Sequence, residues 1–138
     1  MNVENYVELM HDRTFNCCQC VLCALSDMVD VDEQTLFRIG EGFGGGLGTL
    51  NGVCGALTGA VMLAGLKNSD GNMEAPKRKP STMAMVRKMQ DSFREQVGAI
   101  ICKEIKGVGT GKPLCSCQDC VRIAARIAEE VLNESPNS

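Results

Sequence analysis

The sequence predicts an all-α fold, a compact single-domain bundle of about six helices around one buried, apolar central helix. Three observations predict it. Apolar residues recur at helical spacing along most of the chain, and no stretch alternates at period two with β-branched residues as a strand would. One segment, about 51–66, is apolar nearly all round, as a helix buried on every side must be. At 138 residues, 44% hydrophobic and 22% charged, the chain has single-domain length and enough apolar material for one core. Residues 1–138 are read as one cysteine-rich helical domain with no internal repeat.

Val3, Tyr6, Val7 and Met10 fall at i, i+3, i+4 and i+7 and describe a short amphipathic first helix. Asn16 can cap a second helix of about 13 residues whose apolar content is Val21, Leu22, Leu25, Met28 and Val29. Asp32 can cap a third, with Leu36, Ile39 and Phe43 as its buried stripe. The glycines that follow formally match G-x-G-x-x-G at Gly40, Gly42 and Gly45. A dinucleotide fingerprint needs a strand before it, and here a helix precedes it. The run reads instead as a helix terminator and a connector able to bend tightly around a site beginning at Cys54.

The fourth helix carries small residues in rows, Gly55 and Gly59 in one and Ala56, Ala60 and Ala64 in the next, which lets neighbouring backbones approach. Asn68 to Pro80 reads as a loop, its basic triplet Lys77-Arg78-Lys79 solvated. Val86, Met89, Phe93, Val97 and Ile100 continue the 3.6 period through a long fifth helix, about 81–105. Met83, Met85 and Met89 are read as core filling. After a glycine-rich loop at 106–113, Ser116 and Asp119 form a capping-box variant that opens the last helix. Val121, Ala124, Ala125, Ala128, Val131 and Leu132 mark its buried face.

A net charge of −3, with one Tyr, four Phe and no Trp, argues against a nucleic-acid partner. The longest apolar stretch, Val53 to Leu66, is too short to span a bilayer, so no membrane insertion is expected. The N-terminus shows no basic region followed by an apolar one, so a cytoplasmic location is expected. A homo-oligomer is left open.

Nine cysteines, an odd number, cannot all pair within one chain, and in a reducing compartment such density points to metal binding or redox chemistry. Cys54 sits near the start of the buried helix, where free amides and the positive dipole end favour a thiolate. Cys120 is placed similarly in the last helix. Cys17, Cys20 and Cys23 read as C-x2-C-x2-C, but the ferredoxin pattern fails at its fourth ligand, where Asp27 stands. On a helix, Cys17 and Cys20 share a face and Cys18 points about 100° away. Cys115, Cys117 and Cys120 form C-x-C-x2-C, a compact array suited to a soft metal or a dithiol. Cys102 closes the set near the end of the long helix. The single His11, beside Asp12, reads as solvated, so any metal site must be all or mostly thiolate, favouring iron–sulfur or zinc.

With Asn16-Cys17-Cys18-Gln19-Cys20-Val21, Phe43-Gly44-Gly45-Gly46 and Cys54-Gly55-Ala56-Leu57-Thr58-Gly59-Ala60 in view, the chain resembles the family of redox-active proteins named for its C_GCAxxG_C_C pattern. The resemblance covers roughly residues 14–132, and its C-G-A-x-x-G box is the most specific part. It implies four recurring cysteines, which match Cys17, Cys54, Cys102 and Cys120, with Cys18, Cys20, Cys23, Cys115 and Cys117 as additions.

The leading expectation is that these four converge on one site holding an iron–sulfur cluster for electron transfer, which would require a redox partner protein. The second is a thiol–disulfide or persulfide oxidoreductase, with Cys54 or Cys120 as the catalytic nucleophile and Cys17 or Cys102 resolving. The third is a structural zinc site in an interaction module. Cys20, Cys115 and Cys117 are secondary candidates for a metal.

Overall fold

The computed structural model describes residues 2–12 and 14–134, without the side chain of His11, so its expected solvation lies outside the described residues. Among the described residues there are seven α-helices and no strand. They are α1 (Val3–His11), α2 (Cys17–Ala24), α3 (Glu33–Gly40), α4 (Gly55–Asn68), α5 (Lys79–Val97), α6 (Cys102–Ile105) and α7 (Cys117–Asn133). The apolar helix α4 is central as expected, packing against α2, α5 and α7. Ala56, Leu57, Ala60, Leu63 and Ala64 are buried along it, and Met89, Phe93, Val121, Ala124, Ala128 and Leu132 meet them from α5 and α7.

The small-residue row on α4 has a definite partner. A Cβ on Gly59 would lie 3.0 Å from the Cys18 carbonyl oxygen and 3.2 Å from Val21 Cβ. One on Gly55 would lie 2.7 Å from the Phe43 carbonyl oxygen. Bare α-carbons at these two positions therefore let α2 lie directly on α4. Asn16 then fixes where α2 begins. Its side chain accepts from the Gln19 N–H at 2.9 Å, and the Asn16 N–H donates to Gln19 Oε1, a reciprocal capping box. Asn16 Nδ2 also donates to the carbonyls of Gly40 and Glu41, and Gln19 Nε2 to that of Phe37, tying this end of α2 to α3.

Several expected boundaries move. α2 stops at Ala24 rather than near Val29, and the chain turns through a 3₁₀ segment at Ser26–Met28, where Ser and Asp favour turns over helix interior. α3 buries Leu36 but leaves Ile39 46% exposed, and Phe43 lies beyond the helix in a 3₁₀ turn, because this short helix packs chiefly on α2. Of the methionines, Met85 and Met89 fill the core while Met83 faces outward. Arg78 is not simply solvated: its guanidinium donates to Asn68 Oδ1 and its carbonyl accepts from Ser81 and Thr82, joining the end of α4 to the start of α5.

The largest correction concerns the long fifth helix, which is two helices. α5 ends at Gly98, whose φ of +105° is natural only for glycine and whose N–H bonds back to the Arg94 carbonyl. The chain then runs extended, and Ile101 forms an isolated antiparallel bridge with Val53. Cys54 N–H donates to the Ile100 carbonyl at 2.8 Å and Cys102 N–H to the Gly52 carbonyl at 2.9 Å. That bridge occupies the backbone before Gly55, so α4 starts there rather than at Asn51. It also makes Cys102 the first residue of α6, not a residue near the end of α5. No helix is long and apolar enough to cross a membrane among the described residues.

Candidate functional site

Cysteines stand at the beginnings of helices. Cys17 is the first residue of α2, Cys54 the N-cap of α4, Cys102 the first residue of α6 and Cys117 the first residue of α7. All four, with Cys120 from the next turn of α7, line a single cavity of about 120 Å³. The starts of three substantial helices therefore meet at one place, and each contributes unpaired amides and the positive end of its dipole, which favour negative charge. Asn16, Gly55 and Lys106 complete its polar and small lining, with Met10, Phe15 and Ile105 as its apolar wall. The glycine-rich connector closes one side. Gly46, at φ +57°, has no room for a Cβ, which would lie 2.6 Å from Cys102 Cβ and 2.8 Å from the Gly52 carbonyl oxygen.

Within the cavity the thiols fall into two facing pairs, and in each pair one member ionises before the other. The Cys120 thiol, followed by the backbone N–H groups of Ala56 and Leu57, stabilises the Cys54 thiolate. Burial opposes them, yet the Cys54 pKa is lowered to about 7. Cys120, facing a thiolate and buried, is pushed up. The Cys17 thiol, with Lys106 behind it, lowers Cys117 to about 6, and Cys17 rises in turn for the same reason and through burial. Burial raises Cys102, with Lys106 acting the other way. In each pair the first ionisation is thus eased, because the thiol that keeps its proton donates to the thiolate formed.

The site residues expected from sequence are gathered in the main. Cys17, Cys54, Cys102 and Cys120 line the same cavity. Cys117, a secondary candidate, lines it too. Cys115 lies outside the lining but acts on Cys120, its thiol being the second sulfur beside that residue. Cys20 is not brought in: it is fully buried and donates to the Tyr6 carbonyl at 3.2 Å, so sharing a helical face with Cys17 does not bring it to the cavity. Burial pushes Cys20 and Cys18 up to about 12 and Cys23 up to about 11, and Cys18 serves as the surface on which Gly55 and Gly59 rest. Among the described residues no three His, Cys, Asp or Glu side chains are placed to hold a metal ion. The donors are of the right kind for a soft metal but stand in pairs.

Sequence reasoning passed over Lys106. Its signal was the four-residue spacing from Cys102, which puts both on one face of a helical turn.

The family model described as "Putative redox-active protein (C_GCAxxG_C_C)" matches residues 15–131. The chain belongs to this family. Its C-G-A-x-x-G box corresponds here to the N-cap thiol of α4 followed by the two glycines that seat α2. No curated protein and no solved structure matches the chain significantly.

Proposed function

We propose that the protein is a dithiol redox protein in which Cys54 and Cys120 cycle between two thiols and a disulfide. The observation that carries this is the placing of two free thiols face to face in one cavity, Cys54 at the N-cap of α4 and Cys120 in α7. The Cys54 thiolate attacks one sulfur of an oxidised sulfur substrate R–S–S–R, forming Cys54–S–S–R and releasing RS⁻. Cys120 then attacks Cys54 Sγ, gives up its proton and releases the second RS⁻ as the Cys54–Cys120 disulfide forms. Two electrons pass from the protein dithiol to the substrate, and the two thiolates released take up one proton from Cys120 and one from solvent. Lys106 and the helix starts hold negative charge in the cavity throughout. A protein dithiol partner, supplying two electrons, returns the site to its reduced state.

A second reading, an iron–sulfur cluster for electron transfer, is favoured by the convergence of the four family-matching cysteines on one cavity with an all-thiol donor set. It requires the paired sulfurs to redistribute around the cluster. One anaerobic preparation tests both. Under the dithiol reading, glutathione disulfide removes two thiols per chain and releases two equivalents of glutathione, and Cys54→Ser abolishes this. Unchanged thiol loss in that variant overturns it. Stoichiometric iron and sulfide, lost in Cys54→Ser, would establish the cluster instead.

A further inference from the structure

Cys115 belongs to no pair in the cavity, yet its position is specified by the capping of α7. Ser116 is the N-cap, its Oγ accepting from the Asp119 N–H at 3.1 Å. Cys115 is therefore the residue before the cap and Cys120 the fourth residue of the helix, the two positions whose side chains meet across a helix start. Cys115 packs against the core at this point while remaining partly exposed, whereas Cys120 is 1% exposed. The Leu114 N–H bonds to the Ile105 carbonyl at 2.8 Å and anchors the segment, and the Leu114 side chain is exposed beside it. Cys120 thus touches a cavity thiol on one side and a surface thiol on the other.

We propose that Cys115 and Cys120 form a relay that carries the oxidised state of the cavity to the protein surface, where a partner protein's dithiol reduces it. This rests on the dithiol reading of Cys54 and Cys120. The Cys115 thiolate, its proton released to solvent, attacks Cys120 Sγ of the Cys54–Cys120 disulfide. The Cys115–Cys120 bond forms, the Cys54–Cys120 bond breaks, and Cys54 leaves as a thiolate. No net oxidation occurs in this exchange. Departure as a thiolate suits Cys54, since the backbone N–H groups of Ala56 and Leu57 at the start of α4 favour its ionised form, and a low-pKa thiol leaves faster. A thiolate of the partner then attacks Cys115 Sγ, displacing Cys120. The partner's second thiol attacks the mixed disulfide, so that both cysteines end reduced and the partner carries the disulfide. A protein-sized reductant reaches Cys115 without entering a cavity of about 120 Å³.

The test compares the full-length chain with Cys115→Ser. Each is oxidised with one equivalent of diamide, and its reduction is followed with thioredoxin, a protein dithiol, and with dithiothreitol, a small one. Differential alkylation separates Cys54, on tryptic peptide 39–67, from Cys115, Cys117 and Cys120, which share peptide 107–122 and are told apart by fragmentation of that peptide. In the unsubstituted chain a fraction should show Cys115 and Cys120 protected with Cys54 alkylated. Cys115→Ser should still form the Cys54–Cys120 disulfide and react normally with dithiothreitol, while thioredoxin reduces it at least tenfold more slowly. Equal thioredoxin rates, or no protected Cys115 in the unsubstituted chain, would overturn the relay and leave the cavity dithiol standing. Absence of the Cys54–Cys120 linkage from both proteins would overturn the dithiol reading itself.

Discussion

Three glycines of α4, each changed to alanine, should respond in three different ways, because the space around them differs. Gly65 has nothing within 4 Å of where a Cβ would stand, so Gly65→Ala gains the helix preference of alanine, about 0.8–1 kcal/mol of stability. At Gly59 the added carbon meets the Cys18 carbonyl at 3.0 Å and Val21 Cβ at 3.2 Å. Crowding of about 1–2 kcal/mol then offsets the same gain, leaving a change of about zero to 1 kcal/mol destabilising. At Gly55 the carbon would sit 2.7 Å from the Phe43 carbonyl oxygen and 3.3 Å from the Cys18 nitrogen, both backbone atoms that cannot rotate aside. Gly55 opens the helix, so alanine gains little there, and Gly55→Ala should cost about 1–3 kcal/mol. Urea unfolding of the three variants measures this, and a chain of this size should shift its Tm by about 3–5 °C per kcal/mol. Gly55→Ala should also change Cys54 reactivity, because it pushes α4 away from the segment that carries Cys18 and its neighbour Cys17. Equal stabilisation by Gly55→Ala and Gly65→Ala would refute the claim that the C-G-A-x-x-G box exists to let α2 and α4 touch.

Alkylation by iodoacetamide should rise with pH through about 7 at Cys54 and about 6 at Cys117, then level off, since only the thiolate reacts. Cys120→Ala removes the thiol that most favours ionisation of Cys54 and should move that midpoint up toward the ordinary value of 9.0; an unchanged midpoint would sink the pairing. Lys106→Met should move the Cys117 midpoint up as well, read by the same peptide-resolved alkylation. Asn16→Ala removes the cap of α2 and its two bonds to the end of α3, and should cost about 1–2 kcal/mol in thermal or urea unfolding.

The helical class, the central apolar helix and the caps at Asn16, Asp32 and Ser116 were legible because each is written locally, in periodicity or in one short side chain. The division of the long fifth helix was not. The apolar period runs on through Ile100; Gly98 is a local stop, but only the pairing of Ile101 with distant Val53 shows why the chain runs extended before the next helix. The same bridge brings Cys102 beside Cys54, a juxtaposition no local pattern encodes. On sequence, Cys117 stands below Cys120 as a candidate because the family resemblance matches Cys120, and spacing alone does not tell which of the two faces Cys17. Cys20 illustrates the opposite failure: three residues from Cys17 on a helix, it bonds instead to α1.

The central claim is that Cys54 and Cys120 are the working dithiol, and peptide mapping after a two-electron oxidation tests it most directly. The reduced chain is equilibrated with a glutathione redox buffer, quenched in acid, alkylated and digested. Peptides 39–67 and 107–122 should be recovered joined through Cys54 and Cys120, two hydrogens lighter than their sum. Recovery of both cysteines fully alkylated, while other cysteines of the chain have become disulfide-linked, would contradict it.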